Sequence, residues 1–237
     1  MPIINSLKKY ADGFFSLVYP HNCLLCQREL NQHDEYICFL CKEDLHFTYF
    51  EKYQEPSYSE QLFWGRLHLE NVYSMLYFSQ ENSTQKILHE IKYHNGKELG
   101  VYMGKMMGER IFNQANYTDI DAIIPVPIHT KKEFIRGYNQ SMSIATGIQK
   151  TFQVPVVNAL YRKTHDASQT KKSQEQRYEN VKDKFGVYTN KLQNIHHVLI
   201  VDDVLTTGAT LESVVKAVLS VHLPIKISIA TIAVAHT

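Results

Sequence analysis

The segment from His197 to Val221 places the strongest constraint on the fold. It opens with the apolar run Val198–Val201, passes through a short polar turn and continues as a helical pattern from Leu211. An apolar run without alternation predicts a strand that is buried on both faces, which is typical of parallel sheets covered by helices. We therefore expect at least one strand–turn–helix unit of an α/β domain here.

The same alternation of strand and helix patterns runs through the chain after Asn71. Strands are predicted at 72–78, 121–126, 154–157, 197–201 and 226–235, and helices at 83–95, 97–113, 140–150 and 211–221. Strands that alternate with helices of this length predict a mostly parallel sheet with helices on both faces. In such sheets ligands bind at the carboxyl ends of the strands. The search for a site therefore starts at that edge.

The cysteines form two C-x2-C pairs that are separated by eleven residues, and they are Cys23, Cys26, Cys38 and Cys41. Two such pairs can direct four thiolates to one tetrahedral zinc ion. An iron–sulfur cluster is the alternative use of four thiolates. Disulfides or a redox pair are less favoured, because the chain shows no export signal and no thioredoxin-like pattern. Four protein ligands leave no position for substrate, so the predicted zinc site is structural.

The 237 residues suffice for one ordinary domain and a small module. Residues 1–50 are predicted to hold an amphipathic helix and the zinc module, 51–70 a connector, and 71–237 the α/β domain. The net charge of +1 restricts any nucleic-acid binding to a local patch of Lys and Arg. No apolar run approaches the ~20 residues of a transmembrane helix, and no cleavage site follows the first helix. The protein is therefore expected to be cytoplasmic.

The turn after the apolar strand has the composition of an anion site. Backbone N–H groups at a helix N-terminus attract phosphate, and Gly208 lets the backbone approach it closely. The preceding Asp202 and Asp203 suit the vicinal hydroxyls of a ribose. The alternative is that these residues only cap the next helix. The residues of the predicted phosphate turn are Thr206, Thr207, Gly208, Ala209 and Thr210.

Two basic segments accompany this turn. One follows the strand at 121–126 and carries His129, Lys131, Lys132 and Arg136, which could neutralise a pyrophosphate. The other is the long polar stretch from 162 to 184, which is predicted to be either a lid over the ligand or a solvated surface. Its candidate functional cations are Arg162, Lys171, Lys172 and Arg177.

The sequence VLIVDDVLTTGAT, from Val198 to Thr210, resembles the signature of type I phosphoribosyltransferases that binds 5-phosphoribosyl-1-pyrophosphate (PRPP). The resemblance implies the type I phosphoribosyltransferase fold. It also implies that Asp202 and Asp203 are the catalytic acids and hold the ribose 2′ and 3′ hydroxyls, while 206–210 cradle the 5-phosphate. Mg²⁺ would arrive with the ligand and bridge pyrophosphate and ribose oxygens.

Together with the cysteines, the segment from Ile123 to Ser141 and the pattern from Arg162 to Phe185 resemble the ComF (ComFC) family. The resemblance implies PRPP binding with His129, Lys132 and Arg136 on the pyrophosphate side. It further implies a part in DNA uptake during natural transformation, with competence-machinery proteins as partners. The chain departs from the family pattern at Tyr138, where Phe is commoner, and at 183–184.

Two functions from different classes stay open. The chain is either an enzyme that transfers a phosphoribosyl group from PRPP to a nitrogen nucleophile, or a non-catalytic protein that uses this fold to handle single-stranded DNA. For the second, the basic lid and the tyrosines at 161, 178 and 188 would supply charge and stacking surfaces. A PRPP-sensing regulator is a weaker option, because no helix-turn-helix pattern stands out. No acceptor-recognition element is identified in the sequence.

Overall fold

The computed structural model describes residues 22–53, 55–80, 82–93, 96–163 and 184–235. Within these ranges lie six strands: β1 (Asn71–Phe78), β2 (Ala122–Pro125), β3 (Leu160–Arg162), β4 (Phe185–Val187), β5 (His197–Leu205) and β6 (Lys226–Ala235). Four of them form a parallel sheet in the order β1-β6-β5-β2. The predicted mostly parallel sheet is confirmed.

Seven α-helices lie in the same ranges: α1 (Phe39–Glu43), α2 (Tyr58–Gln61), α3 (Ser83–Tyr93), α4 (Lys97–Ile111), α5 (Thr130–Arg136), α6 (Gln140–Phe152) and α7 (Ala209–Leu219). Among the described residues, none of the helices has the length and apolar character to cross a bilayer.

Helices cover both faces of the sheet, because side chains alternate along each strand. On one face, α3, α4 and α6 pack on strand residues such as Leu199 and Ala230. On the other face, α7 packs on their neighbours, such as Ile200 and Ile229. The apolar run that predicted a strand buried on both faces therefore does lie between two helical layers.

The structure differs from the predicted elements mainly in its shortest strands. Residues 154–157 give one parallel bridge, Val156 to Ile123, instead of a strand. The three-residue strands β3 and β4 were not predicted, because such short segments carry no measurable period. They pair antiparallel and form a two-stranded ribbon at the two ends of the predicted lid. The lid residues Lys171, Lys172 and Arg177 lie outside the described residues, whereas Arg162 closes β3.

The cysteine-containing module is joined to the edge of the sheet. Its last residues run antiparallel to β1, with a bridge between Phe47 and Leu76. The Tyr77 N–H donates to the His46 carbonyl over 2.8 Å, and the Thr48 N–H donates to the Met75 carbonyl over 3.0 Å. These bonds cover an edge strand that would otherwise expose unpaired backbone groups. The module and the sheet thus share hydrogen bonds as well as one apolar cluster.

The helices α4 and α6 cross at very short distance. A Cβ on Gly104 would lie 2.1 Å from the Ile144 carbonyl oxygen, and one on Gly147 would lie 2.1 Å from the Val101 carbonyl oxygen. Only glycine allows two helix backbones to approach this closely. The crossing therefore fixes the position of α6 relative to α4.

Candidate functional site

The two predicted acids lie inside the sheet. β5 continues to Leu205, four residues beyond the predicted end at Val201, because its pairing with β6 continues past the acids. Asp202 and Asp203 are consequently only 8% and 5% exposed. Two adjacent carboxylates in such a position need specific partners, since burying an unpaired charge is strongly unfavourable.

Asp202 is held by two hydrogen bonds to the same oxygen. The Ser141 hydroxyl donates to Oδ1 over 2.9 Å, and the Asp203 N–H donates to the same atom over 2.9 Å. Burial, followed by the charge of Asp203, raises the pKa of Asp202 to about 8. At neutral pH the free protein therefore keeps a proton on this carboxyl group for most of the time.

Asp203 forms an ion pair with Lys92, the penultimate residue of α3. The Lys92 side chain is 23% exposed and that of Asp203 7%. This lysine is not part of any motif recognised in the sequence. A basic residue in the last turn of a helix is common because it complements the helix dipole, so nothing local marks Lys92 as functional.

The segment Arg136–Ser141 builds the opposite wall of the site. Gly137 ends α5 in the left-handed conformation, with φ of 77°. Asn139 then caps α6, because its Oδ1 accepts from the Ser141 N–H over 3.0 Å. The Asn139 side chain also donates to the Val126 carbonyl over 3.0 Å, which ties α6 to the end of β2. These contacts aim the Ser141 hydroxyl at the acid pair.

The end of α3 contacts this wall at two further points. The Tyr138 hydroxyl donates to the Ile91 carbonyl, so the tyrosine at this position uses the oxygen that a phenylalanine would lack. The Arg136 guanidinium lies 5.3 Å from the centre of the Tyr93 ring. It also donates to the Gln140 side chain over 2.9 Å. Arg136 is thus held in one orientation.

A pocket of about 190 Å³ opens between these walls. It brings the acid pair together with four of the eight predicted basic residues, which are His129, Lys132, Arg136 and Arg162. Its polar and charged lining residues are Lys92, His129, Lys132, Arg136, Gln140, Arg162, Asp202, Asp203 and Thr210. The His129 ring accepts from the Lys131 N–H over 3.1 Å and thereby caps α5. A ligand that fits this pocket has hydroxyl groups for the acids and negative charge for the cations.

The predicted phosphate turn joins β5 to α7. Gly208 caps α7 with φ of 79°, and a Cβ at this position would lie 2.9 Å from the Phe63 ring. Glycine is therefore required by both the backbone angle and the contact. Thr210 lines the pocket, Thr206 and Thr207 are exposed just before α7, and Ala209 is the exposed first residue of α7. Their backbone N–H groups lie at the helix N-terminus, where an anion is favoured.

Residues 62–66 support this turn from behind. Phe63 is 2% exposed and packs against Gly208. Arg66 pairs with Glu212 of α7 at 2.8 Å and lies 3.5 Å from the Thr207 carbonyl oxygen. The sequence analysis placed these residues in a connector and gave them no part in the site. Their role depends on contacts more than 140 positions away, which no local pattern could reveal.

The four cysteine sulfurs all lie within 4.8 Å of one another. The sulfurs of Cys26 and Cys38 are 3.7 Å apart, close to the ~3.8 Å that tetrahedral bonds of about 2.3 Å require. That separation is too long for a disulfide of about 2.05 Å. The Cys38 N–H and the Arg28 side chain each donate to a sulfur over 3.4 Å, as is typical around thiolates. The four side chains could together hold one metal ion.

The comparison with known families matches residues 139–236 to the model described as Phosphoribosyl transferase domain. The matched region begins at Asn139 and includes the acid pair and the phosphate turn. Together with the parallel sheet, this match confirms the predicted phosphoribosyltransferase fold. The cysteine module lies outside the matched residues.

Curated relatives extend the comparison. The chain is 33% identical over 98 residues to Competence protein F of Haemophilus influenzae, which covers 40% of this chain and 43% of the relative. It is 26% identical over 137 residues to DNA utilization protein YhgH of Escherichia coli O157:H7, which covers 56% of this chain and 60% of the relative. The matches span less than two thirds of either relative. They confirm the predicted resemblance to the competence protein F family.

Two solved structures show a weaker likeness. Glutamine PRPP amidotransferase from B. subtilis aligns with a TM-score of 0.43 and 16% identity, over 61% of this chain and 30% of that one. Orotate phosphoribosyltransferase from Aeropyrum pernix aligns with a TM-score of 0.34 and 12% identity, over 68% of this chain and 80% of that one.

Replacing Asp202 with Asn is expected to stabilise the protein increasingly as the pH rises from 5 to 8. The pKa of Asp202 is about 8 in the folded protein and 3.8 by ordinary values. Between these pH values the folded state binds one proton more than the unfolded state, so rising pH destabilises the wild type. Asn resembles the protonated acid and does not titrate. The difference in free energy of unfolding between Asp202→Asn and the wild type should therefore grow, in favour of the variant, by at most about 1.4 kcal/mol per pH unit.

Denaturant unfolding of both proteins at pH 5, 6, 7 and 8 measures this growth. Asp121→Asn, at the opposite edge of the sheet, is the control. Hydrogen bonds from the His196 and His197 N–H groups lower the pKa of Asp121, so the stability that its carboxylate contributes is already present at pH 5 and is lost only at lower pH. A constant difference between Asp202→Asn and wild type across the series would contradict the assignment of a buried, protonated Asp202.

Proposed function

We propose, from the premise that residues 139–236 carry a phosphoribosyl transferase domain, that this chain binds PRPP at the carboxyl edge of its sheet and transfers or recognises phosphoribosyl groups. The observation that carries the proposal is the pocket in which the acid pair faces Lys132, Arg136 and His129. Acids alone repel a phosphate, and cations alone do not select a diol. PRPP carries both a ribose diol and a pyrophosphate.

The ligand groups are assigned to the walls of the pocket by their chemistry. Asp202 and Asp203 accept hydrogen bonds from the ribose 2′ and 3′ hydroxyls. The residues of the phosphate turn, 206–210, hold the 5-phosphate at the N-terminus of α7. Lys132 and Arg136 face the pyrophosphate, and Arg136 suits a phosphate because its guanidinium can form paired hydrogen bonds. Bound Mg²⁺ would supply positive charge for the pyrophosphate beside Lys132 and Arg136.

As an enzyme, the chain would break the bond between ribose C1 and the pyrophosphate oxygen and form a bond between C1 and a nitrogen nucleophile. Pyrophosphate leaves with the bonding electron pair, and the nucleophile loses one proton. Positive charge develops on the ribose ring during this exchange. The carboxylate of Asp203 stabilises that charge through the hydroxyls, and the cations stabilise the leaving group. The lid predicted for 162–184 would exclude water from the reactive centre.

We assign a structural zinc ion to the four cysteines. Their mutual distances fit tetrahedral coordination, and all four ligand positions are filled by protein. The module also packs its first knuckle into the apolar cluster beneath β1, with Cys23 fully buried. Metal binding there would therefore fix the edge of the sheet, and it leaves no coordination position for a substrate.

A second function, the handling of single-stranded DNA, is favoured by an exposed pair of aromatic rings. Tyr161 and Tyr188 lie on or beside the β3–β4 ribbon, with ring centres 4.8 Å apart and exposures of 38% and 46%. The Lys191 ammonium lies 5.0 Å from the Tyr188 ring. Stacking surfaces beside cations bind unpaired bases and phosphates. The relatives' names, a competence protein and DNA utilization proteins, motivate a cytoplasmic role in DNA uptake with competence-machinery partners.

Calorimetric titration with PRPP and Mg²⁺ tests the principal proposal. The wild type is expected to bind, and the double variant Asp202→Asn/Asp203→Asn should bind at least about a hundredfold more weakly, because the hydrogen bonds that the two acids accept from the ribose diol are lost. Asp121→Asn, which removes an acid from the opposite edge, should bind like the wild type. Equal binding by the double variant would place the ligand elsewhere. A wild type that does not bind PRPP would refute the proposal.

Metal analysis tests the zinc assignment. One zinc ion per chain is expected, and Cys26→Ser/Cys41→Ser should lose it, because each C-x2-C pair then keeps one ligand. The same variant should unfold at lower denaturant concentration, since metal binding contributes to folding. His33→Ala, which alters an exposed histidine of the same module, should retain the metal. Iron and sulfide in place of zinc would show that the cluster is of another kind.

Binding of a thymidine oligonucleotide at increasing salt tests the second function. The variant Lys171→Gln/Lys172→Gln/Arg177→Gln should bind more weakly, and its salt dependence should be shallower by about two ions, since each single-strand phosphate contact contributes about 0.7 to the slope. The control with the same charge change is Lys86→Gln/Lys105→Gln/Lys150→Gln, on α3, α4 and α6. Equal binding by lid variant and wild type at every salt concentration would exclude the lid as a DNA surface.

A further inference from the structure

Three consecutive residues at the end of α3 contact three different parts of the pocket wall. The Ile91 carbonyl accepts from the Tyr138 hydroxyl, Lys92 pairs with Asp203, and the Tyr93 ring lies 5.3 Å from the Arg136 guanidinium. None of the three belongs to the matched domain, which begins at 139. The end of α3 is therefore a part of the site that the sequence motifs do not include.

Lys92 occupies a position that the ligand needs. Its ammonium contacts Oδ2 of Asp203, and this carboxylate is 7% exposed, so few directions of approach remain. A ribose hydroxyl that donates to Oδ2 of Asp203 competes with the ammonium for that oxygen. Lys132 is exposed and Arg136 is held by Gln140, and neither forms an ion pair with the acids among the described residues. Of these three cations, Lys92 is therefore the one that a ribose hydroxyl has to displace from Asp203.

The lysine can leave Asp203 only if its charge is compensated elsewhere. Removing one partner from a buried ion pair is strongly unfavourable. The lysine side chain has a flexible four-carbon stem and a compact charge, so it can exchange one anion for another over a short distance. A pyrophosphate on ribose C1 would provide that anion within the same pocket. A ribose that carries only the 5-phosphate would not, because its one anion lies at the phosphate turn.

We propose that Lys92 is a specificity-determining residue that makes the site select PRPP over ribose 5-phosphate. In the free protein its ammonium occupies Oδ2 of Asp203. When PRPP binds with Mg²⁺, the ammonium moves to the pyrophosphate and Asp203 accepts from the diol. Ribose 5-phosphate has to displace the ammonium without replacing its partner. This inference rests on the proposed PRPP site, and it adds a residue and a basis for discrimination that neither the motif nor the comparisons contain.

Calorimetry with two ligands tests the proposal. Mg²⁺–PRPP and ribose 5-phosphate are titrated into wild type, Lys92→Met, Lys92→Arg and Lys86→Met. In Lys92→Met, PRPP should bind at least about tenfold more weakly, because a charge-assisted contact to the pyrophosphate is lost. Ribose 5-phosphate should bind equally or more tightly, because its competitor is gone. Lys92→Arg should restore most of the preference, and Lys86→Met, on an exposed turn of the same helix, should match the wild type.

The outcomes separate this inference from the proposed function. If Lys92→Met weakens both ligands by the same factor, or neither, Lys92 does not determine specificity, although the PRPP site stands. If the wild type does not bind PRPP, both proposals fail. Crystal structures of the wild type with each ligand provide a test that does not depend on the folding of a variant. The Lys92 ammonium should contact the pyrophosphate in one and Asp203 in the other, and contact with Asp203 in both would overturn the inference.

Discussion

Two adjacent carboxylates lie buried in β5, and their mutual repulsion must be relieved for the strand to remain in the sheet. Lys92 neutralises Asp203, while Asp202 keeps its proton and accepts from Ser141. The first contact fixes the end of α3, and the second fixes the start of α6. The positions of the surrounding helices are therefore tied to the chemistry of this pair.

The cysteine module and the pocket lie at different edges of the sheet, yet residues 51–70 connect them. Glu51 pairs with Arg110 at 2.8 Å, and Arg110 also lies 4.0 Å from the centre of the Phe47 ring. Further along the same segment, Phe63 packs behind Gly208 in the phosphate turn. The term connector therefore describes the position of 51–70 in the chain better than its role, because Glu51 joins the module through Arg110 and Phe63 packs on the phosphate turn.

The sequence predicts what a local pattern can encode. The strands, the acids, the turn and the cysteine spacing are all contained in short windows. Four of the five predicted strands are found, 154–157 forms only one bridge, and the acids lie within a β5 that is longer than predicted. Lys92 and Phe63 could not be found in this way, because each owes its role to a partner more than a hundred residues away. Both also belong to residue types that occur commonly at helix ends and in cores. Short sequence patterns therefore identify the PRPP motif but not the distant residues that pack against it.

The cost of the acid pair is itself an argument about function. A strand that served only as scaffold would be more stable with Asn or an apolar residue at Asp202, because the buried carboxyl opposes folding whenever it ionises. The same strand also requires Ser141 and Lys92 as partners. Ser141 belongs to α6, which crosses α4 at two glycines, and Lys92 belongs to the end of α3 at the pocket. Polar groups that reduce stability and converge on one pocket are typical of a binding site that trades stability for function. The loss of stability therefore favours a pocket that binds a ligand over one with a purely structural role.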